Sequence, residues 1–296
     1  MSEVTCYTRS PRHRPERTPM PDGADPRSQP LVQIAAERWL PAGAPRAAVV
    51  FMHGLGEHRR ARPYPPFHQT LAAHGYAVLA FDLRGHGESQ GPRLYARNLD
   101  VLTRDLARAI DLAADEADGR PVFVMGGSLG GLLALTAAFD PHESLAGIIA
   151  GAPALDVGNA SGFKRRLLPL LCRLAPRLRL DPGLDLAGIA RDPATLAWYL
   201  DDPQLQLGRI TPALAQATLD GIERVMRRAD DLTVPLLLMH GLADRIVPAD
   251  GTIALHAIAG ARDKTLKTYP DAWHHLLLDV RDEMTHDVLA WLGSRT

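Results

Sequence analysis

Residues Gly126–Gly130 constrain the fold of this chain more than any other segment. They follow the pattern G-x-S-x-G, with Ser128 as the serine, and they lie between two segments of opposite character. Residues 121–125 are apolar and partly β-branched, which predicts a strand, whereas residues 131–139 predict a buried helix. A sharp turn from strand to helix raises the serine oxygen above the edge of a sheet and directs a helix N-terminus at it. This pattern predicts an α/β fold with a nucleophilic serine; an ordinary glycine-rich turn is the alternative.

The chain also contains the two further groups that a nucleophilic serine requires, an acid and then a histidine. Asp244 follows the predicted strand at residues 234–240, on the sheet edge where α/β proteins bind ligands. His274 lies in a loop before the C-terminal helix, after the predicted strand at residues 264–269. We expect His274 to take the proton from Ser128 and Asp244 to orient the imidazole.

Other residues compete for both roles. His275 directly follows His274, so either imidazole is a candidate for the base on the residues alone. Asp156 follows another predicted strand, and it is therefore a second candidate for the acid in place of Asp244. An aspartate in such a loop also serves as a turn or helix cap in many proteins. The residues by themselves leave these alternatives open.

A glycine-containing loop after an early strand supplies candidate donors for an oxyanion hole. Residues 46–52 predict the strand, and His53–His58 follows it directly. The glycines of this loop allow a sharp turn that exposes backbone N–H groups. We expect the N–H groups of Leu55 and Leu129 to stabilise the oxyanion of a tetrahedral intermediate, where one donor typically contributes about 2.7–4 kcal/mol. The spacing of the two histidines departs from H-E-x-x-H, so no zinc site is predicted.

Four segments together resemble the α/β-hydrolase superfamily, and within it the monoacylglycerol lipase and lysophospholipase family. The resemblance extends over residues 31–295 and implies that His274 rather than His275 is the base, and that Asp244 rather than Asp156 is the acid. The segments that carry it are His53–His58, Asp82–Gly91, Gly126–Gly131 and Asp263–His274.

The same resemblance implies roles for residues around the serine. Leu55 and Leu129 match the oxyanion positions of the family, and Glu57 and Tyr199 match polar positions that line the glycerol side of its pocket. Gly127 departs from the family, in which the residue before the nucleophile is often a histidine that helps to hold the glycerol end.

Predicted strands and helices alternate up to residue 155, and the strand pattern resumes near residue 234. Strands are expected at residues 32–39, 47–53, 76–82, 121–127 and 145–151, and helices at residues 64–75, 97–117 and 129–140. We expect an α/β-hydrolase fold, with a mostly parallel central sheet, helices on both faces and a helical cap inserted late in the sheet. The expected divisions are a flexible tail at residues 1–30, a core at residues 31–155 plus 231–296, and the cap at residues 156–230.

Composition excludes several classes of function. The net charge of −1 gives no reason to expect nucleic acid as a partner. The two cysteines, Cys6 and Cys172, are not expected to form a disulfide, which permits a reducing compartment. No apolar run reaches the ~18 residues that span a bilayer, and the first thirty residues lack the features of a secretory signal. We expect a cytoplasmic protein, peripheral to a membrane where it contacts one, with no cofactor and no metal.

The predicted cap indicates the class of substrate. Residues 163–180 combine leucines with several arginines and no acidic residue, although Pro169 and Pro176 interrupt any long helix. Such a segment suits an apolar acyl-binding wall and transient contact with an anionic membrane or micelle. With the resemblance, we expect a serine hydrolase that cleaves monoacylglycerol to fatty acid and glycerol through an acyl-enzyme. The alternatives are a lysophospholipase or broad-specificity carboxylesterase and, in a different class, a catalytically silent ligand receptor of the same fold.

Overall fold

One mixed sheet of eight strands has the spatial order β1-β2-β4-β3-β5-β6-β7-β8. The computed structural model describes residues 4–7, 32–140, 142, 144–156 and 162–296, with only the backbone at residues 4–7 and 162–165. Strands β3 to β8 are parallel, whereas β1 and β2 pair antiparallel at one side. The mostly parallel sheet predicted from the sequence is therefore confirmed. The strands are β1 (Val4–Tyr7), β2 (Ile34–Trp39), β3 (Ala47–Met52), β4 (Tyr76–Phe81), β5 (Val122–Gly127), β6 (Leu145–Gly151), β7 (Leu236–Gly241) and β8 (Lys264–Tyr269).

The helices either flank this sheet or form the cap. The longest of them, α2, begins after Asn98, whose side chain accepts a hydrogen bond from the backbone N–H of Val101 at 3.2 Å. The helix predicted at residues 129–140 is α3 followed by a 3-10 turn at Ala137–Phe139. The α-helices of the described residues are α1 (Tyr64–Ala73), α2 (Leu99–Ala117), α3 (Leu129–Thr136), α4 (Gly162–Leu174), α5 (Pro193–Leu200), α6 (Pro212–Arg227), α7 (Asp250–Ile258), α8 (Leu276–Asp279) and α9 (Arg281–Gly293).

Central strands bury side chains on both faces of the sheet. On β3, Val50 and Met52 pack in the core that contains α2 and α3, while Val49 and Phe51 pack in the core that contains α1 and α9. Each of these side chains is at most 2% exposed, as expected for a parallel sheet covered by helices. Because both faces are fixed in this way, the loops at the strand ends start from well-defined positions.

The connection between β6 and β7 contains the cap helices α4, α5 and α6. The segment after α5 is bonded to the core, since Gln206 N–H donates to Gly56 O at 2.7 Å and His58 Nε2 lies 3.0 Å from Asp202 Oδ2. Helix α4 packs against α6 instead. The cap therefore has one part anchored on the core and another part held chiefly by a second cap helix. Of the helices in the described residues, none is both long enough and apolar enough to cross a membrane.

The N-terminal strand differs from the prediction for this end of the chain. A flexible tail is predicted at residues 1–30, yet β1 pairs with β2, with Val4 opposite Glu37 and Tyr7 opposite Ile34. The pairing satisfies the edge of β2, which would otherwise present unpaired N–H and C=O groups. The other residues of the predicted tail lie outside the described residues.

Candidate active site

Ser128 lies in a strained turn between β5 and α3. Its φ of 52° and ψ of −117° are values that residues other than glycine rarely adopt. A Cβ on Gly126 would lie 2.4 Å from the carbonyl carbon of Gly130, and a Cβ on Gly130 would lie 2.4 Å from the carbonyl oxygen of Met52. Glycine is therefore required at both positions for the turn to close. Gly127 differs, because a Cβ there would meet its nearest neighbour at 3.9 Å.

Ser128, His274 and Asp244 form one hydrogen-bonded chain. His274 Nε2 lies 3.0 Å from Ser128 Oγ, and His274 Nδ1 lies 2.7 Å from Asp244 Oδ2. Both ring nitrogens are thus occupied by the two partners that the sequence predicts. His275, the rival for the base, instead contacts a glutamate, and Asp156, the rival for the acid, lies elsewhere on the cavity wall.

Asp244 is held in its ionised form by several donors. Its Oδ1 accepts hydrogen bonds from the N–H groups of Ile246 and Val247, at 2.8 and 2.9 Å. Burial alone raises the pKa of Asp244, but hydrogen bonds from the His240 and His274 rings outweigh it and hold this pKa below its usual value. His240, whose Nε2 lies 3.2 Å from Asp244 Oδ2, was not predicted at this site. Its only signal is its place near the end of a buried strand, four residues before the acid.

The turn after β3 is fixed by a buried histidine. Leu83 N–H donates to His53 Nε2 at 3.0 Å, so the ring proton is on Nδ1, which donates to Gly54 O at 2.8 Å. Burial lowers the pKa of His53, in agreement with a neutral ring. This histidine therefore connects the turn after β3 to the end of β4. It also fixes the carbonyl group of Gly54, the residue that follows it in the turn.

The two predicted oxyanion residues belong to the two segments next to the serine. Leu129 is the first residue of α3, and Leu55 follows Gly54 in the turn after β3. A Cβ on Gly54 would lie only 3.3 Å from Ser128 Cβ, so this turn contacts the serine directly. Leu55 and Leu129 both line the cavity that opens beside Ser128.

A buried carboxylate joins four parts of the chain beside the serine. Glu57 Oε2 accepts from Gly54 N–H at 2.5 Å and from the hydroxyl of Tyr64. Glu57 Oε1 accepts from the hydroxyl of Tyr199, and His275 Nε2 lies 3.2 Å from the same oxygen, outside the alignment of a hydrogen bond. The resemblance to the family predicts Glu57 and Tyr199 at this site. Tyr64 was not predicted here, and His275 was considered only as a rival base, because their contacts with Glu57 form only in the folded chain.

A cavity of about 650 Å³ opens beside the serine, and its wall is chiefly apolar. Leucines of α4 form part of the wall, and residues of the sheet edge and of the loop after β8 form the rest. None of the described wall residues is a lysine or an arginine, whereas several are acidic. The leucines of α4 in the wall are Leu167, Leu168 and Leu171, and the acidic residues are Glu57, Asp156 and Asp181.

Comparisons with known proteins find relatives that match most of this chain. A family model described as "Serine aminopeptidase, S33" matches residues 43–281. Monoglyceride lipase of Homo sapiens is 30% identical to this chain over 292 residues, which cover 97% of this chain and 95% of the human protein. The chain belongs to the monoacylglycerol lipase family of the α/β-hydrolases. A monoacylglycerol lipase of Mycolicibacterium smegmatis is 32% identical over 266 residues, covering 89% of this chain and 94% of that protein.

A solved structure of the monoacylglycerol lipase family has the same architecture. The crystal structure of Paleococcus ferrophilus monoacylglycerol lipase superposes with a TM-score of 0.79 at 30% identity, over 90% of this chain and 100% of that chain. The predicted α/β-hydrolase fold and the predicted family are confirmed, and the chain is a hydrolase of carboxylic esters.

Proposed function

We propose that this member of the monoacylglycerol lipase family uses Ser128 as nucleophile, His274 as general base and Asp244 as the residue that orients His274. The observation that carries the proposal is the hydrogen-bonded chain from Asp244 through His274 to Ser128, with distances of 2.7 and 3.0 Å. The ionised Asp244 stabilises the imidazolium that forms when Ser128 loses its proton.

In the first half-reaction, Ser128 Oγ bonds to the carbonyl carbon of the ester while its proton moves to His274 Nε2. The carbonyl oxygen becomes an oxyanion, which the N–H groups of Leu55 and Leu129 stabilise. The bond from this carbon to the alcohol oxygen then breaks, and His274 gives its proton to that oxygen. The alcohol leaves neutral, and the acyl group remains on Ser128.

In the second half-reaction, a water molecule takes the place of the alcohol. His274 Nε2 accepts a proton from the water as its oxygen bonds to the acyl carbon, and the same two N–H groups stabilise the new oxyanion. The bond from carbon to Ser128 Oγ breaks, and His274 returns the proton to the serine. The fatty acid leaves, and the site regains its starting state.

We infer that the substrate is a monoacylglycerol, which yields fatty acid and glycerol. The chiefly apolar cavity suits one acyl chain, and Glu57 and Tyr199 supply a polar wall on the alcohol side. The relatives from Homo sapiens and Mycolicibacterium smegmatis are named as lipases of this substrate. The small, neutral alcohol of such a substrate requires no cation in the wall.

The alternative of a lysophospholipase has less support from the cavity. A phosphate group is bound in most proteins by arginine, lysine or clustered N–H groups. The described wall carries neither basic residue, and the acidic side chains of Glu57, Asp156 and Asp181 would repel a phosphate. The exposed arginines of the cap lie outside this wall. A broad-specificity carboxylesterase differs from our proposal only in its tolerance of alcohols, which is open to measurement.

Hydrolysis of a monoacylglycerol, a lysophospholipid and a p-nitrophenyl ester with the same acyl chain, by wild type and Ser128→Ala, tests the proposal. We expect kcat/KM for the monoacylglycerol to exceed that for the lysophospholipid by about tenfold or more. The variant should lose up to about 10⁶-fold in kcat, because the nucleophile is gone.

Ser294→Ala is the matched control, since this serine bonds to Trp291 O near the C-terminus. It should retain wild-type turnover. Turnover by Ser128→Ala would contradict the mechanism, and equal activity on all three esters would favour a broad carboxylesterase. If the wild type hydrolyses none of the three esters, a silent ligand receptor would be favoured.

We also propose that the cap meets a lipid surface. Leu170, Leu174 and Leu178 are 52%, 71% and 47% exposed, and several arginines close to them in the sequence are exposed as well. We call this set, from α4 to the segment that follows it, the outer cap surface. Apolar side chains among cations suit the interface of an anionic membrane or micelle. The arginines of the outer cap surface are Arg166, Arg173, Arg177 and Arg179.

The cytoplasmic location predicted from the sequence stays a prediction.

A further inference from the structure

We infer that Glu57 is a positioning residue for the oxyanion turn, and that Tyr64, Tyr199 and His275 hold it in place. The inference rests on the proposed function and adds a specific role for a residue that the sequence assigns only to the pocket wall. In this role Glu57 acts through the backbone of Gly54 rather than through contact with the substrate.

Three hydrogen bonds occupy most of the acceptor sites of the Glu57 carboxylate. A carboxylate offers about four such sites, two on each oxygen. Gly54 N–H and the Tyr64 hydroxyl donate to Oε2, and the Tyr199 hydroxyl donates to Oε1. The His275 ring lies 3.2 Å from Oε1, outside the alignment of a hydrogen bond. To donate to Glu57, a hydroxyl of the substrate would have to move the His275 ring away from Oε1 or break one of the three hydrogen bonds.

These contacts also keep the Glu57 side chain charged, although the residue is only 6% exposed to solvent. Burial raises the pKa of Glu57, but the nearby His275 ring and the two tyrosine hydroxyls outweigh this effect and bring the pKa far below its usual range. A buried carboxylate with these donors is costly to disturb, since loss of one partner leaves charge unsatisfied. The carboxylate is thus a rigid point of attachment.

What this carboxylate holds is the turn beside the nucleophile. Glu57 Oε2 bonds the N–H of Gly54 at 2.5 Å, and Glu57 N–H donates back to Gly54 O at 3.3 Å. The next residue, Leu55, carries one of the two proposed oxyanion donors. A Cβ placed on Gly54 would lie 2.8 Å from Glu57 Oε2 and 3.3 Å from Ser128 Cβ, so the turn at Gly54 is in close contact with both the carboxylate and the serine.

The donors come from different parts of the molecule. Tyr64 begins α1, Tyr199 lies in the cap helix α5, and His275 follows the proposed base His274. Glu57 therefore connects the oxyanion turn with the cap and with the loop that carries His274. Displacement of either partner element would be transmitted to the turn that carries the Leu55 N–H.

Steady-state kinetics of Glu57→Ala and Glu57→Gln on two esters of one fatty acid, a monoacylglycerol and an ethyl ester, test this inference. The ethyl ester has no free hydroxyl, but both esters need the oxyanion hole. We expect Glu57→Ala to lose about 10- to 100-fold in kcat on both esters, with KM within about threefold of wild type. Glu57→Gln should recover part of the loss, because its amide oxygen can still accept from Gly54 N–H.

Tyr269→Phe is the matched control, because its hydroxyl bonds to the carboxylate of Asp287 at 2.9 Å away from this turn. It should leave kcat unchanged on both esters. If Glu57→Ala does not fold, Tyr199→Phe replaces it, with a smaller loss of kcat that is again equal on both esters. A loss confined to KM for the monoacylglycerol would overturn the inference in favour of substrate contact. Retained turnover by Ser128→Ala would contradict the proposed mechanism instead, whatever the Glu57 variants do.

Discussion

Buried polar side chains in this protein differ in how far their polar atoms are satisfied. The Glu57 carboxylate accepts three hydrogen bonds, whereas neither ring nitrogen of His68 has a hydrogen-bond partner among the described residues. The His68 ring packs 4.5 Å from the ring centres of Trp39 and Phe51. Burial lowers the pKa of His68 from 6.5 to about 3, so the folded protein keeps this ring neutral.

His68 should make the free energy of unfolding depend on pH. Below pH 6.5 the unfolded chain binds a proton that the folded chain does not, so stability falls as the pH falls toward about 3. The contribution lost between pH 7 and pH 5 is about 2 kcal/mol. Urea denaturation at both pH values should show a smaller decrease for His68→Phe than for wild type. An equal decrease in the two proteins would show that His68 binds a proton in the folded state.

At the scale of elements, the site depends on how closely the start of α3 approaches the end of β3. The glycines at this junction allow close contact between the two backbones, on which the proposed oxyanion donors, the N–H groups of Leu129 and Leu55, depend. A side chain at Gly130 would force the two elements apart, since its Cβ would lie 2.4 and 2.6 Å from the carbonyl oxygens of Met52 and His53.

Gly130→Ala and Gly127→Ala form a matched pair that tests this junction. We expect Gly130→Ala to lose on the order of 100-fold in kcat, as for removal of one oxyanion donor, and about 1–3 kcal/mol of stability. Gly127→Ala should stay within about threefold of wild type, because its Cβ has no neighbour nearer than 3.9 Å. Esterase kinetics and urea denaturation measure both effects, and equal losses in the two variants would contradict the proposed junction.

At the scale of the whole molecule, charge is nearly balanced but unevenly distributed. The net charge is −1, yet the outer cap surface presents arginines around exposed leucines, and residues 163–180 contain no acidic residue. An anionic lipid surface would attract this side of the molecule by about 1 kcal/mol for each arginine that comes near it. The protein would then approach lipid with its cap, which also lines the cavity.

Sedimentation with vesicles of phosphatidylcholine, with and without phosphatidylserine, tests this orientation. We expect stronger binding to the anionic vesicles, and a loss of about fivefold or more in Leu170→Ser/Leu174→Ser, which removes two apolar contacts. Ile253→Ser/Ile258→Ser is the matched control, because these side chains of α7 are also exposed, at 42% and 51%. Equal binding by the two double variants would exclude the outer cap surface as the contact.

Local patterns predicted most of the sheet and the hydrogen-bonded chain at the serine. The motif around Ser128 and the strand-then-loop patterns before Asp244 and His274 are contiguous in sequence, so each is visible without the fold. The environment of Glu57 was not visible in this way, because Tyr64 and His275 approach it only when α1 and the loop after β8 have packed.

Edge pairing was equally hidden from the sequence. Whether a short β-prone segment such as Val4–Tyr7 becomes a strand depends on a free edge, here that of β2, and the local pattern holds no information on this edge. Helix α7 lacked a clear start signal, since no side chain caps its first turn.

The two-part attachment of the cap has a consequence for how this enzyme can diverge. Mutations in α4 change the cavity wall but leave the hydrogen bond between Gln206 N–H and Gly56 O in place. Mutations in the segment after α5 affect this hydrogen bond and, through it, the turn beside Ser128. The preference for the length of the acyl chain can therefore change during evolution while selection maintains the rate of ester hydrolysis. Natural variation should accumulate in α4 and be sparse in the segment that follows α5.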